Sequence, residues 1–333
     1  MKAIFLAGGK GSRLRPLTDK VPKPMVPIMN KPLIERTMVH LKTSGINQIV
    51  MSSCYRFQDI EDYFGNGDKL GLEIEYIVED KPMGTGGAIK KAGTGADNTF
   101  IVFNSDILSD LNIKKMLEFH KKSKAIATIA VTKVENPSAY GVIACDKKGY
   151  AKSFIEKPEM NEDASHYVNA GIYIFEPGIL NEIPQNKVIS VERDIFPKLL
   201  DKGLKIAVFR DDSYWIDIGT IKKYLQTHKD IMHGKCKLVG HRFNSQRIVV
   251  GKNVKIHPEA KIIGPVYIGN NVRIAGKSTI NGSVIGNNVT IGEGNRIVGS
   301  VLWDNINLGS DIKLYNTVLT TGDEAEIRKR NCK

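Results

Sequence analysis

Residues 8–24, GGKGSRLRPLTDKVPKP, hold the densest anion-binding chemistry in the chain. Gly8, Gly9 and Gly11 let backbone amides approach a ligand closely, and a concave run of N–H groups binds anions. Lys10, Arg13, Arg15, Lys20 and Lys23 surround them. Arg offers phosphate a planar fork, and Lys offers a point charge. The apolar residues 3–7 read as a buried strand feeding this loop, the usual anion-binding geometry of an α/β sheet. Two familiar phosphate loops do not fit. No Lys-Ser or Lys-Thr pair follows the glycines, and Leu14 stands where a dinucleotide loop needs its third glycine. Two acids stand out further on. Glu79 precedes a second glycine turn at Gly84, Gly86 and Gly87, although it shares strand parity with Glu73 and Glu75, which a solvated acid would also do. Asp106 follows the apolar run 99–103, where a strand's carboxyl end meets the ligand edge of such a sheet.

The string GGKGSRLRPLT followed by PKP resembles the signature of the sugar-1-phosphate nucleotidylyltransferases, the NDP-sugar pyrophosphorylases. EDKPMGTGGAI at 79–89 is similar to the ExxPLGTAGAL of the guanylyltransferase branch, departing at Met83 and Gly86. Asn104-Ser105-Asp106 resembles the N-[GS]-D metal motif. Tyr140-Gly141-Val142, EKP at 156–158, NAGIYIF at 169–175, SVERDIFP at 190–197 and YWIDIGT at 214–220 resemble further family segments. EKP alone is weak; a dozen residues ahead of NAGIYIF it is strong.

The resemblance implies the transfer of a nucleotidyl group from an NTP to a sugar 1-phosphate, with pyrophosphate released. It is closest to the branch that makes GDP-mannose from GTP and mannose 1-phosphate. It implies nucleotide contacts at Leu6, Ala7, Gly8, Gly9, Gly11, Ser12, Arg13, Lys23, Glu79, Gly84 and Thr85. Gly141, Glu156, Lys157 and Asn169 would meet the sugar phosphate, and Asp106 and Asp217 would hold Mg²⁺. Arg13, Lys23, Asp106 and Asp217 would carry the catalysis. A carboxylate only accepts hydrogen bonds, so Glu79 suits the two adjacent N–H donors of guanine; pyrimidine-specific relatives typically carry Gln there. Three alternatives stand beside this: a uridylyl- or thymidylyltransferase, a guanylyltransferase for another sugar such as a manno-heptose, and a non-catalytic regulatory subunit. The four phosphate and metal candidates are all present, which argues against the last.

The positioning elements read as two domains. Over residues 1–230, strand and helix patterns alternate, as in an α/β, Rossmann-like nucleotidyltransferase domain with a mostly parallel mixed sheet. A helix is predicted over 30–45, strands over 46–52, 72–78, 99–103 and 125–133, and helix caps at Ser190 and Thr220. Residues 231–250 read as a linker. From 251 to 333 the composition changes. Ile256, Ile262, Ile268, Ile274 and Ile280 recur every six residues, and YIGNNV and VIGNNV repeat 17 apart. That is the hexapeptide pattern of a left-handed parallel β-helix. Acyltransferases with such coils need a histidine at a corner; His257 is the candidate and sits in a His-Pro turn, so a structural, oligomer-forming coil is expected. Residues 323–333 read as a charged tail.

Among 333 residues, 41% are hydrophobic and 25% charged, ordinary globular values. The net charge of +12 suits polyanionic ligands, but aromatics at 7% and the absence of zinc-finger or RNA-binding motifs argue against nucleic acid. Cys54, Cys145, Cys236 and Cys332 form no CxxC pair, which fits reduced thiols. With neither a signal-like segment nor a membrane-length apolar run, the reading expects a cytoplasmic homo-oligomer away from membranes.

Overall fold

The computed structural model describes residues 1–53, 55–156, 166–238 and 245–322. Packing divides the chain into two units that do not follow chain order. One gathers Met1–Gly11, Val21–Pro24 and Thr37–Trp215; the other gathers Ser12–Lys20, Met25–Arg36 and the chain from Ile216 onward.

The first unit is built on a nine-stranded mixed sheet. Its parallel half runs β3-β2-β1-β4, with β1 at Lys2–Leu6, β2 at Gln48–Ser53, β3 at Glu73–Val78 and β4 at Phe100–Asn104. Ala3, Ile4 and Phe5 are all buried because β1 is covered on both faces, so its sequence is a continuous apolar run without alternation. The other half comprises β5 (Ala127–Lys133), β6 (Gly141–Cys145), β7 (Ala151–Glu156), β8 (Tyr167–Phe175) and β9 (Ile206–Arg210). Strand β8 runs antiparallel to β4, β5 and β6; β7 is antiparallel to β6, and β9 is parallel to β5. Tyr173, Phe175, Phe100 and Phe196 pack ring to ring at the centre of the core.

The helix predicted over 30–45 is shorter, α1 at Leu33–Thr43. Met29 and Asn30 take left-handed backbone (φ 49° and 61°), and Lys31–Pro32 pairs back on Pro27–Ile28 instead. Helix α2 (Gly84–Ala92) packs on β1 and β2. Helix α3 (Ile113–Ser123) begins where the Asn112 side chain accepts from Lys115 N–H at 3.0 Å.

In the second unit the hexapeptide repeats wind into a left-handed parallel β-helix with three sheets. Ile256, Ile274, Ile291 and Leu308 stack in one column and Ile262, Ile280, Ile297 and Leu314 in another. Ile268, Ile285, Leu302 and Leu319 form the third. The period slips where one corner becomes shorter: Ile262 is followed by Ile268, but Ile280 by Ile285 and Ile297 by Leu302. Helix α4 (Ile221–Met232) starts at Thr220, whose hydroxyl accepts from Lys223 N–H at 3.3 Å. The Tyr224 hydroxyl donates to Pro27 O at 2.7 Å and accepts from Trp303 Nε1–H at 3.0 Å, joining the 27–32 hairpin and α4 to the coils. Among the described residues no helix is long and apolar enough to cross a membrane. The predicted tail lies outside the described residues.

Candidate active site

In the first unit, the carboxyl ends of β3, β2, β1 and β4 end in one row. Leu6 lies between Ser52 and Asn104 in the register, and Ser53 lies beside Val78. The chain leaves each strand under control: Ala7 N–H donates to Ser52 O at 2.7 Å, and Glu79 N–H to Ser53 O at 2.9 Å. This row opens on a cavity of about 350 Å³ lined by Leu6, Gly8, Gly9, Lys23, Glu79, Pro82, Met83, Gly84, Thr85, Ala88, Asn104, Ser105 and Asp106.

Glu79 is 4% exposed, whereas Glu73 and Glu75 are exposed, so strand parity does not make it a solvated acid. Its carboxylate accepts from Ser52 Oγ at 2.7 Å and from Met83 N–H at 3.1 Å, one bond on each oxygen. Each oxygen therefore keeps a second lone pair for a ligand. Gly84 opens α2 at φ +71°, and a Cβ there would lie 2.5 Å from Ile189 O, so only glycine fits. Lys23 and Asp106 face each other as a partly buried ion pair. Ala7 is buried behind the row, and Gly11 does not line the cavity.

The sugar-side candidates share one stretch of sheet. Glu156 pairs with Gly141 across β7 and β6, and Val168 pairs with Val142 across β8 and β6, which brings Asn169 beside Gly141. Strand β8 bulges between Asn169 and Tyr173. At the bulge Gly171 has φ +69°, and a Cβ would lie 2.7 Å from Asn104 Nδ2. Lys157 lies outside the described residues.

In the second unit, Ser12 and Arg13 form a short 3₁₀ turn with Leu14. A Cβ on Gly219 would lie 3.3 Å from Asp217 Oδ2 and 3.5 Å from Arg13 Nη2, so Arg13 and Asp217 flank the same point. Asp217 also forms an ion pair with Lys223 in the first turn of α4. Each of the two acids read as metal ligands thus bears a lysine ammonium.

The nucleotidyl transferase family profile matches residues 2–234, and a bacterial transferase hexapeptide profile matches residues 247–282. The chain belongs to the nucleotidyl transferase family. It is 35% identical to a mannose-1-phosphate guanylyltransferase of Mycobacterium tuberculosis, across 85% of this chain and 79% of that protein. It is 37% identical to a UTP–glucose-1-phosphate uridylyltransferase of Synechocystis, across 86% and 78%. Among solved structures, HddC from Yersinia pseudotuberculosis complexed with GMP-PN superposes with a TM-score of 0.60 at 31% identity. That match covers 69% of this chain and 99% of HddC.

Pro82, Met83, Ala88, Asn104 and Ser105 complete the cavity of this nucleotidyl transferase without having been assigned as ligand contacts. The N-S-D string could have flagged Asn104, whose Oδ1 is buried and accepts no hydrogen bond from the described residues. Ser52 and Lys223 carry no local signal; only register and helix phase bring them to Glu79 and Asp217.

Proposed function

We propose that this nucleotidyl transferase moves a guanylyl group from GTP to mannose 1-phosphate, yielding GDP-mannose and pyrophosphate in a Mg²⁺-dependent reaction. The observation that carries the base choice is buried Glu79, a fixed pair of acceptors inside the cavity. Guanine presents two adjacent donors to such a group; uracil and thymine present one N–H flanked by carbonyls, which a carboxylate repels. The guanylyltransferase relatives support the same reading.

The sugar-phosphate oxygen is already an anion. It forms a bond to the α-phosphorus of GTP as the bond to the β-phosphate bridging oxygen breaks, and that electron pair leaves with pyrophosphate. No proton has to move, so alignment and charge neutralisation supply the catalysis. The Gly8 and Gly9 amides and Lys23 serve the phosphates, and Arg13 serves the leaving pyrophosphate. Gly141, Glu156 and Asn169 serve the sugar hydroxyls, and Lys157 the sugar phosphate. Asp106 and Asp217 fit Mg²⁺ as hard oxygen donors, because this ion is usually held by one or two carboxylates with phosphates and water completing its shell. When bound, the ion would neutralise phosphate charge; without it, Lys23 and Lys223 neutralise the carboxylates of Asp106 and Asp217.

Pyrophosphate release from four NTPs paired with mannose and glucose 1-phosphate tests the reading. GTP with mannose 1-phosphate is expected to give the highest kcat/KM. Preference for UTP with glucose 1-phosphate, which the Synechocystis relative favours, would move the chain to the pyrimidine branch.

A further inference from the structure

We infer that Glu192 is a positioning residue that ties the nucleotide loop to the sugar-binding strand through one hydrogen-bonded relay, Thr85–Glu192–Tyr173–Asn169. The inference rests on the reading above, which puts nucleotide at Thr85 and sugar at Asn169.

The relay lies wholly within the first unit. Glu192 Oε2 accepts from Thr85 Oγ1 at 2.6 Å and from Ser190 Oγ at 2.7 Å. Its Oε1 accepts from the Tyr173 hydroxyl at 3.0 Å. Tyr173, fully buried, accepts in turn from Asn169 Nδ2 at 2.7 Å. Asn169 Oδ1 accepts from Gly171 N–H at 3.0 Å, so two bonds set which way its amide faces.

A carboxylate has no proton to donate, so it dictates the direction of every bond in the chain. Thr85, Ser190 and Tyr173 must all point their protons at Glu192. Tyr173 must then receive from the amide end of Asn169, which fixes the polarity that Asn169 shows a sugar hydroxyl. At the other end the Thr85 hydroxyl also accepts from Val191 N–H at 2.9 Å, so its proton and one lone pair are both committed. Thr85 therefore lines the cavity as a residue held in place, and the group holding it is Glu192.

The backbone reinforces the tie. Gly86 N–H donates to Ile189 O at 2.9 Å, and Ile189 N–H donates to Met83 O at 2.9 Å, which straps residues 83–86 to the segment leading into Glu192. Glu192 sits in a wide turn, a π-helix at Val191–Ile195, whose start Ser190 caps by accepting from Arg193 N–H at 3.2 Å. Such turns are uncommon and recur at functional sites. Here the turn holds a carboxylate between a glycine loop and a bulged strand.

The test combines Glu192→Gln with a double-mutant cycle of Thr85→Val and Tyr173→Phe, scored by kcat/KM for GTP and for mannose 1-phosphate, with melting temperature alongside. Glu192→Gln puts a donor where only acceptors fit. It is expected to cost about 10-fold or more in kcat/KM for both substrates, the scale of a lost hydrogen bond to a charged group. Thr85→Val and Tyr173→Phe should be non-additive when Glu192 is present and additive in the Glu192→Gln background. A merely structural acid would lower the melting temperature and leave the cycle additive in both backgrounds; that result, or a loss confined to one substrate, overturns the relay. If the wild type releases pyrophosphate with none of the NTP and sugar 1-phosphate pairs, the functional reading itself fails and takes the role of Glu192 with it.

Discussion

At the residue scale, the chemistry turns on groups that hold charge in fixed places. Glu79 presents two oriented acceptors because Ser52 and Met83 each occupy one lone pair. A mismatched buried polar edge costs about 1–3 kcal/mol, roughly a 5- to 150-fold preference. Glu79→Gln is accordingly expected to narrow the gap between GTP and UTP or dTTP, chiefly by lowering kcat/KM for GTP; an unchanged ratio would remove Glu79 from base choice. Arg13 is exposed beside Asp217, free of the core packing that a substitution would disturb. If it stabilises charge developing on pyrophosphate, Arg13→Ala should lower kcat by roughly 10²–10³ while changing KM less. A raised KM at unchanged kcat would show ground-state binding instead.

At the element scale, the hairpin at 27–32 and α4 meet through a histidine that must stay neutral. His228 is 1% exposed; its Nδ1–H donates to Tyr224 O at 3.0 Å, and its Nε2 accepts from Met29 N–H at 3.2 Å. Burial holds its pKa down from 6.5 to about 4; the bond to Tyr224 O opposes that shift and nearby Arg36 adds to it. The folded value lies below the unfolded one, so the unfolded chain takes up the proton first. The stability present above pH 6.5 should therefore be lost as pH falls toward 4, on the order of 3 kcal/mol in full. Urea unfolding from pH 7 to pH 4 measures it, and His228→Gln, which keeps an acceptor for Met29, is expected to flatten the profile. An equally steep loss in that variant would assign the effect to other groups.

At the scale of the whole molecule, the coils serve as a packing partner for segments far away in sequence. Tyr224 is fully buried and bonds Trp303, and Asn30 Nδ2 donates to Ile285 O at 3.4 Å. A chain ending at residue 247 loses both partners and uncovers Tyr224, which is buried in the full chain. Losing one ordinary hydrogen bond costs about 0.5–1.5 kcal/mol. The truncated protein is expected to melt at lower temperature than the full chain and to bind a hydrophobic dye. Equal melting temperatures would show that the 27–32 hairpin and α4 hold without the coils.

Sequence alone determined what local chemistry determines. A glycine loop after an apolar strand is legible because only glycine and cations suit close contact with anions. The three isoleucine and leucine columns are legible because each coil repeats the same register, burying the column residues from Ile268 onward while Ile256 in the first coil stays exposed. The caps at Ser190 and Thr220 are legible because they bond to amides three residues on. Tertiary structure decided everything that depends on register. Glu79 has the strand parity of Glu73 and Glu75, yet it is buried because β3 ends there and the chain turns back over Ser52. Lys223 reaches Asp217 only because Thr220 starts a helix between them. Glu192 stands in SVERDIFP, a helix entry in which the sequence gives it no role of its own. Its meeting with Thr85 and Tyr173, 107 and 19 residues away, follows from a wide turn laid between a loop and a bulge, a juxtaposition that no local pattern encodes.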